Sequence, residues 1–219
     1  MCNKACIDFG RKALKEADIR GKRVLEVGSY DVNGSLRSLA ESYRPGEYIG
    51  IDLKACDHVK HKQRPCVDRI MDANDILKEF GQESFDVLIN TELLEHIEDW
   101  RKAIHNFKSV VKRGGLILIT TRSIKFPRHG FPDDYWRFTA NDMRKIFSDC
   151  EIELLEPDPI EPGVFVKARK PTTFKEATLD TCQLFDVRKV PFVSRVINDQ
   201  IFKFSKRFLR LLRISRRLR

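Results

Sequence analysis

Residues 22–34, KRVLEVGSYDVNG, and residues 48–53, YIGIDL, decide the fold. An apolar run, Val24-Leu25-Glu26-Val27, reaches Gly28, and a polar turn rich in Ser, Asp, Asn and Gly follows. A second apolar run, Tyr48-Ile49-Gly50-Ile51, ends on Asp52. Strand, glycine turn, helix, strand and acid in that order form a nucleotide-binding β-α-β unit. Gly28 lets the backbone approach a ligand closely, and a helix over residues 35–43 points its N-terminus at that ligand. Asp52 can accept both hydrogen bonds of a ribose diol. It lies 24 residues after Gly28, near the roughly 20 expected of a ribose-binding carboxylate. The glycines are not those of a pyrophosphate site, which needs about three. Tyr30 and Val32 stand in the turn, and Glu26 sits inside the strand. A carboxylate there repels phosphate and suits a cationic ligand.

The remaining chain continues the alternation. Residues 4–17 read as an amphipathic helix, 66–71 as a short third strand ending at Asp72, and 75–80 as a helix. Phe85–Asn90 reads as a fourth strand entered through the turn at 81–84. Ile104, Phe107 and Val111 recur at helical spacing within 99–112, a helix stopped by Gly114-Gly115. Leu116–Thr120 is wholly apolar up to its last residue, as a central strand buried on both faces should be. A long aromatic loop spans Phe126 to Phe138. Thr139 N-caps a helix over 140–148, and strands at 151–156 and 163–169 close the pattern. The expected fold is α/β, Rossmann-like and doubly wound, with a mostly parallel sheet and helices on both faces. The pattern changes after Pro171, which divides the chain into a 1–171 domain and a 172–219 extension.

The chain has 219 residues, a net charge of +9 and six cysteines. The charge is concentrated: residues 195–219 carry nine Lys/Arg and one acid, a balance of +8, leaving +1 for the rest. The basicity therefore belongs to the tail. No run approaches the roughly 18 apolar residues of a spanning helix, and the N-terminus shows no signal-peptide pattern. These features, with scattered cysteines, predict a reducing, cytoplasmic setting with free thiols. Cys56, His58, His61 and Cys66 could suggest zinc, but lack a tight CxxC pair.

The acid-x-Gly pattern closing the first strand resembles the first motif of class I S-adenosylmethionine-dependent methyltransferases, with Tyr30 where that motif has its second glycine. FDVLINTELLEHIEDW, residues 85–100, resembles the fourth motif of the methyltransferase group that includes the ubiquinone-pathway enzymes. VKRGGLILIT, residues 111–120, is similar to that group's turn and fifth strand. HGFPDDYWRFT, residues 129–139, resembles a subgroup associated with surface-polysaccharide biosynthesis. The resemblance implies a seven-stranded sheet and S-adenosylmethionine as cofactor. It places Glu26, Gly28 and Ser29 at the methionine end, Asp52 on the ribose, Asp72 and Ala73 beside the adenine, and Asn90 and Thr91 on the pocket floor. Asp72 also reads as a helix N-cap.

Methyl transfer from a sulfonium is an in-line displacement whose leaving group departs neutral, so orientation and desolvation carry most of the catalysis. A hydroxyl acceptor also benefits from a general base, for which His96, His129 and Asp134 are the candidates. Glu92, Glu95 and His96 at i, i+3 and i+4 share a face if a helical turn starts at Glu92. That spacing resembles metal-dependent members of the superfamily, with His129 or Asp134 as a fourth ligand, but it also occurs in metal-free relatives, and no metal is the expectation. In the tail, Ile197, Ile201, Phe204, Phe208 and Leu211 line one helical face opposite Lys203, Lys206, Arg207, Arg210, Arg213 and Arg217. This C-terminal amphipathic helix suits an anionic membrane surface; docking on the domain or a partner, and a nucleic-acid arm, are the competing readings. The sequence thus reads as a methyltransferase acting on a hydroxyl of a glycan or lipid-linked precursor at the inner membrane face. Metal-assisted 2′-O-methylation of RNA is an alternative that the +1 body disfavours, and a non-catalytic S-adenosylmethionine-binding scaffold is another.

Overall fold

A computed structural model describes residues 3–32, 34–55, 66–130 and 132–189. The tail helix expected beyond 195, and the candidate zinc residues Cys56, His58 and His61, lie outside the described residues. The helices are α1 (Lys4–Ala13), α2 (Glu16–Ile19), α3 (Arg37–Ser42), α4 (Ile76–Phe80), α5 (Trp100–Val110) and α6 (Ala140–Ile146). The strands are β1 (Arg23–Val27), β2 (Glu47–Asp52), β3 (Arg69–Ile70), β4 (Phe85–Thr91), β5 (Val111–Arg122), β6 (Trp136–Arg137), β7 (Glu151–Pro157), β8 (Gly163–Arg169) and β9 (Phe185–Asp186). Seven strands form one sheet in the order β3-β2-β1-β4-β5-β8-β7. The first five are mutually parallel, and β8 runs antiparallel to both β5 and β7.

The period-2 alternation of strand side chains builds two cores. Leu25, Val27, Leu88, Ile117 and Ile119 face one side and pack with Trp100, Ile104 and Phe107 of α5 and Met143 and Ile146 of α6. Val24, Val87, Ile89, Leu116 and Leu118 face the other and meet Cys6 and Phe9 of α1, Ile19 of α2 and Ala40 of α3. Both faces being covered, the central strands must be apolar throughout. The doubly wound, seven-stranded expectation is met.

Several boundaries differ from expectation. The first helix breaks at Leu14, whose ψ of 126 is extended, and resumes at Glu16. The third strand shrinks to Arg69–Ile70, exposed at the sheet edge. Helix α5 ends at Val110, before the glycines, because Val111 already pairs with Phe85 in the sheet. Gly114 turns the chain with φ +76, and a Cβ on Gly115 would lie 2.8 Å from the Asp86 carbonyl oxygen. Thr139 caps α6 as expected, in a reciprocal box with Asp142. Residues 172–189, read from sequence as part of the extension, run back across the body. Arg101 donates to the Leu179 and Cys182 carbonyls, Leu179 and Cys182 are buried, and β9 pairs antiparallel with β6. Cys66 is disulfide-bonded, against the expectation of free thiols throughout, while Cys150 and Cys182 are free.

Candidate active site

The expected cofactor residues gather where β1, β2, β3 and β4 end, the edge at which open α/β sheets bind ligands. Gly28 has φ +86, and a Cβ there would lie 2.8 Å from Leu93; no other residue type fits without displacing that side chain. The Gly28 and Ser29 N–H groups both donate to the Ile51 carbonyl, at 2.9 and 3.0 Å. The turn is thereby folded onto β2 and does not offer those donors to a phosphate, in keeping with the missing glycines. Asp52 is half-buried. Its Oδ2 accepts from the Tyr30 N–H and its Oδ1 from the Lys54 N–H, both at 3.2 Å, which fixes the carboxylate at the strand end with lone pairs to spare. Asp72 caps the 3-10 turn at Ala73–Asp75 by accepting from the Asn74 N–H at 2.8 Å, and Ala73 is buried. Asn90 donates to the Val27 carbonyl at 2.9 Å, tying β4 to β1, and Thr91 is buried beside it. Ser29 Oγ and Asn90 Oδ1 are buried with no hydrogen-bond partner among the described residues.

Glu26 departs from its expected place. It points into the α1–α3 face, where its oxygens accept from Tyr48 Oη at 2.8 Å and Ser35 Oγ at 3.2 Å. It anchors the turn and the approach to α3 rather than facing a ligand. Burial pushes its carboxyl up to about 7 against the lowering effect of these two bonds.

The expected catalytic residues also converge. Beyond β4 the chain turns through Glu92 at φ +54, then a 3-10 turn at Leu94–His96. That left-handed residue separates what a helix would have aligned. Glu92 turns toward α1, where Cys6 Sγ donates to it at 3.3 Å and Arg122 forms an ion pair with it. Burial and the neighbouring Glu95 carboxylate raise the Glu92 carboxyl well above its ordinary value. Glu95, fully buried, instead faces His96 and His129. Thr121 Oγ1 donates to Glu95 Oε2 at 2.7 Å.

His96 and His129 approach edge to face, with their Nε2 atoms 3.1 Å apart. His96 Nδ1 bonds to the Asp133 carbonyl, and His129 Nδ1 lies 3.1 Å from Asp134 Oδ2. Gly130, at φ +64, allows the close approach, since a Cβ there would lie 3.0 Å from His96 Cε1. Asp134 is buried and bound at both oxygens by Arg137, at 2.6 and 2.8 Å. Burial alone would raise its carboxyl, but that guanidinium outweighs it and holds the group far below the carboxylate range. A carboxylate so acidic is a poor base; Asp134 orients His129 instead. Thr121 and Arg122 were not singled out as site groups from sequence, and the 131–139 loop was read for its Asp and Arg as substrate contacts rather than for Arg137 bracing Asp134 and the Asp133 carbonyl bracing His96. The charged Arg122 closing the buried run 115–122, and the i, i+3 spacing of Asp134 and Arg137, were the available signals.

A family model described as a methyltransferase domain matches residues 3–155. The chain belongs to that family. An S-adenosylmethionine-dependent methyltransferase from Mesorhizobium loti shares the fold at a TM-score of 0.58 with 16% identity, over 77% of this chain and 99% of that one. Among curated proteins, a ubiquinone biosynthesis O-methyltransferase of Rhizobium etli is 31% identical over 125 residues, 54% of this chain and 48% of that protein. A fatty-acid O-methyltransferase of Mycolicibacterium smegmatis is 28% identical over 135 residues, 60% and 47% of the two chains. The chain spans about half the length of these relatives. S-adenosylmethionine is the cofactor, and the site fits it: a glycine turn closed to phosphate, an anchored ribose-type acid, and two buried polar atoms without partners among the described residues.

Proposed function

We propose that the chain transfers the methyl group of S-adenosylmethionine to a hydroxyl of a lipidic or lipid-linked acceptor, glycan precursors included. The observation that carries this reading is the His96–His129 pair, Nε2 to Nε2 at 3.1 Å beside buried Glu95. It lies at the ends of β4 and β5, on the edge that holds Gly28 and Asp52, and Leu93, three residues before His96, packs on Gly28. A carboxylate acceptor is already ionised at neutral pH and needs no base; a hydroxyl does. At the cluster the acceptor loses its proton, which leaves to water. Its oxygen then forms the new O–CH3 bond, the S–CH3 bond breaks, and the sulfur keeps the electron pair as a neutral thioether. The names of the relatives, O-methyltransferases of a quinone pathway and of fatty acids, support an oxygen acceptor on a lipidic molecule.

The tail adds the location. Its +8 charge and apolar stripe suit an anionic membrane surface, where such acceptors reside. Among the described residues no helix is long and apolar enough to cross a membrane. His96→Ala and His129→Ala test the reading. Calorimetry should show S-adenosylmethionine affinity within about threefold of wild type, while transfer to a lipid extract falls at least 10²-fold, the usual contribution of a proton-transfer group. Undiminished transfer in both variants would contradict the assignment.

A further inference from the structure

We infer that Glu95, His96 and His129 form a site for one divalent transition-metal cation. The inference deepens the hydroxyl-activation reading of the same cluster and rests on it only for the cation's use, not for its binding. The argument is a count of lone pairs. His96 Nδ1 faces a backbone carbonyl oxygen, which can only accept, so that nitrogen carries the hydrogen. His129 Nδ1 faces Asp134 Oδ2, whose carboxylate is held ionised by a bidentate Arg137, so that nitrogen carries its hydrogen too. Both neutral imidazoles therefore present a bare Nε2 lone pair, and the two are aimed at each other across 3.1 Å.

Glu95 Oε1 supplies a third. It is buried, has no hydrogen-bond partner among the described residues, and lies 3.9 Å from His96 Nε2 and 3.8 Å from His129 Nε2. A single proton between the imidazoles would relieve their repulsion but leave Oε1 unsatisfied. A cation about 2.0–2.2 Å from each donor satisfies all three. Each donor is also braced from behind, His96 by the Asp133 carbonyl, His129 by Asp134 and Glu95 by Thr121, the outer-shell arrangement that orients metal ligands. Glu92, which spacing alone would have included, is bound to Arg122 and Cys6 instead.

Two imidazoles and one carboxylate select the class of ion. They suit Zn²⁺, Co²⁺, Mn²⁺ or Fe²⁺, whereas Mg²⁺ and Ca²⁺ favour oxygen ligands. Three protein donors leave coordination positions open. Both imidazole side chains are one-fifth exposed, which leaves an approach from solvent for an acceptor hydroxyl to take one of those positions. Bound there its proton leaves to water more readily, and the alkoxide attacks the methyl group as described above.

The test needs neither acceptor nor cofactor. The full chain, stripped with chelator and dialysed, is titrated with Zn²⁺ and Co²⁺ by calorimetry, and the Zn²⁺-loaded form is examined by X-ray absorption. One site per chain is expected, with two imidazole shells, oxygen and no sulfur. Glu95→Gln and His129→Ala should each weaken binding at least 100-fold, Asp134→Asn 10–100-fold, and His105→Ala, at an exposed histidine paired with Glu176, not at all. The absorption spectrum uses wild-type protein, so a variant that fails to fold leaves the result intact. No binding, or a sulfur shell showing that cysteines hold the ion, overturns the inference. Binding without any methyl transfer would uphold the metal site and refute the hydroxyl reading alone.

Discussion

Replacing Glu26 by Gln should make the protein more stable at pH 8 and leave it unchanged near pH 4. The side chain is 1% exposed, with Tyr48 Oη and Ser35 Oγ as its donors. Burial raises its carboxyl from 4.5 to about 7. At 1.36 kcal/mol per pH unit the difference is roughly 3 kcal/mol. The sign follows from proton counts. Below pH 4.5 folded and unfolded chains both hold the proton, and the site costs nothing. Between 4.5 and about 7 the unfolded chain releases it first, so stability falls as pH rises. Above about 7 the loss is complete and constant. Gln keeps the shape and never ionises, so it removes this slope. For a chain of this length roughly 3 kcal/mol corresponds to about 6–12 °C in Tm. Thermal melts of cofactor-free wild type and Glu26→Gln at half-unit steps from pH 4 to 8.5 give the difference curve, in which other titrating groups cancel. A flat difference, or one that grows toward acid, would refute the reasoning.

Asp52→Ala should weaken S-adenosylmethionine binding by on the order of 2–4 kcal/mol, the loss of two charge-assisted hydrogen bonds, with the fold intact by circular dichroism; unchanged calorimetric affinity would remove Asp52 from the site. Gly28→Ala forces a Cβ 2.8 Å from Leu93 at φ +86 and should cost about 1–3 kcal/mol of stability by overpacking, read by urea denaturation, together with weaker cofactor binding. Phe204→Glu with Phe208→Glu should abolish co-sedimentation of the full chain with anionic vesicles even at low salt, since it removes insertion and lowers the charge together; equal sedimentation of wild type and variant would give the tail another role.

The sheet was legible because its physics is local. Leu116–Ile119 is apolar on both pleats only if both faces are covered, and an acid closing β2 after a glycine turn has few other uses. Boundaries were less legible because tertiary pairing set them. Val111 joined Phe85 instead of finishing a helix, and the two-residue strands β6 and β9 are too short to show a period. The site was half legible. His96, His129 and Asp134 were named, but not their division of labour. His129 lies 33 residues from His96, and the left-handed turn at Glu92, which swings that carboxylate to Arg122 and leaves Glu95 with the imidazoles, has no sequence signature. The same is true of Glu26, whose inward placement depends on Tyr48 arriving from the neighbouring strand. Composition misjudged Cys66, since scattered spacing does not reveal which cysteines meet.

The most direct test of the central claim follows the methyl group itself. Wild-type protein is incubated with methyl-tritiated S-adenosylmethionine and a bacterial membrane-lipid extract, and the organic phase is treated with mild alkali. The account predicts label in the lipid phase that survives alkali, as an ether must, and that depends on Asp52, His96 and His129. Label released by alkali as methanol, the signature of a methyl ester, would contradict it, as would label appearing only in an added RNA fraction.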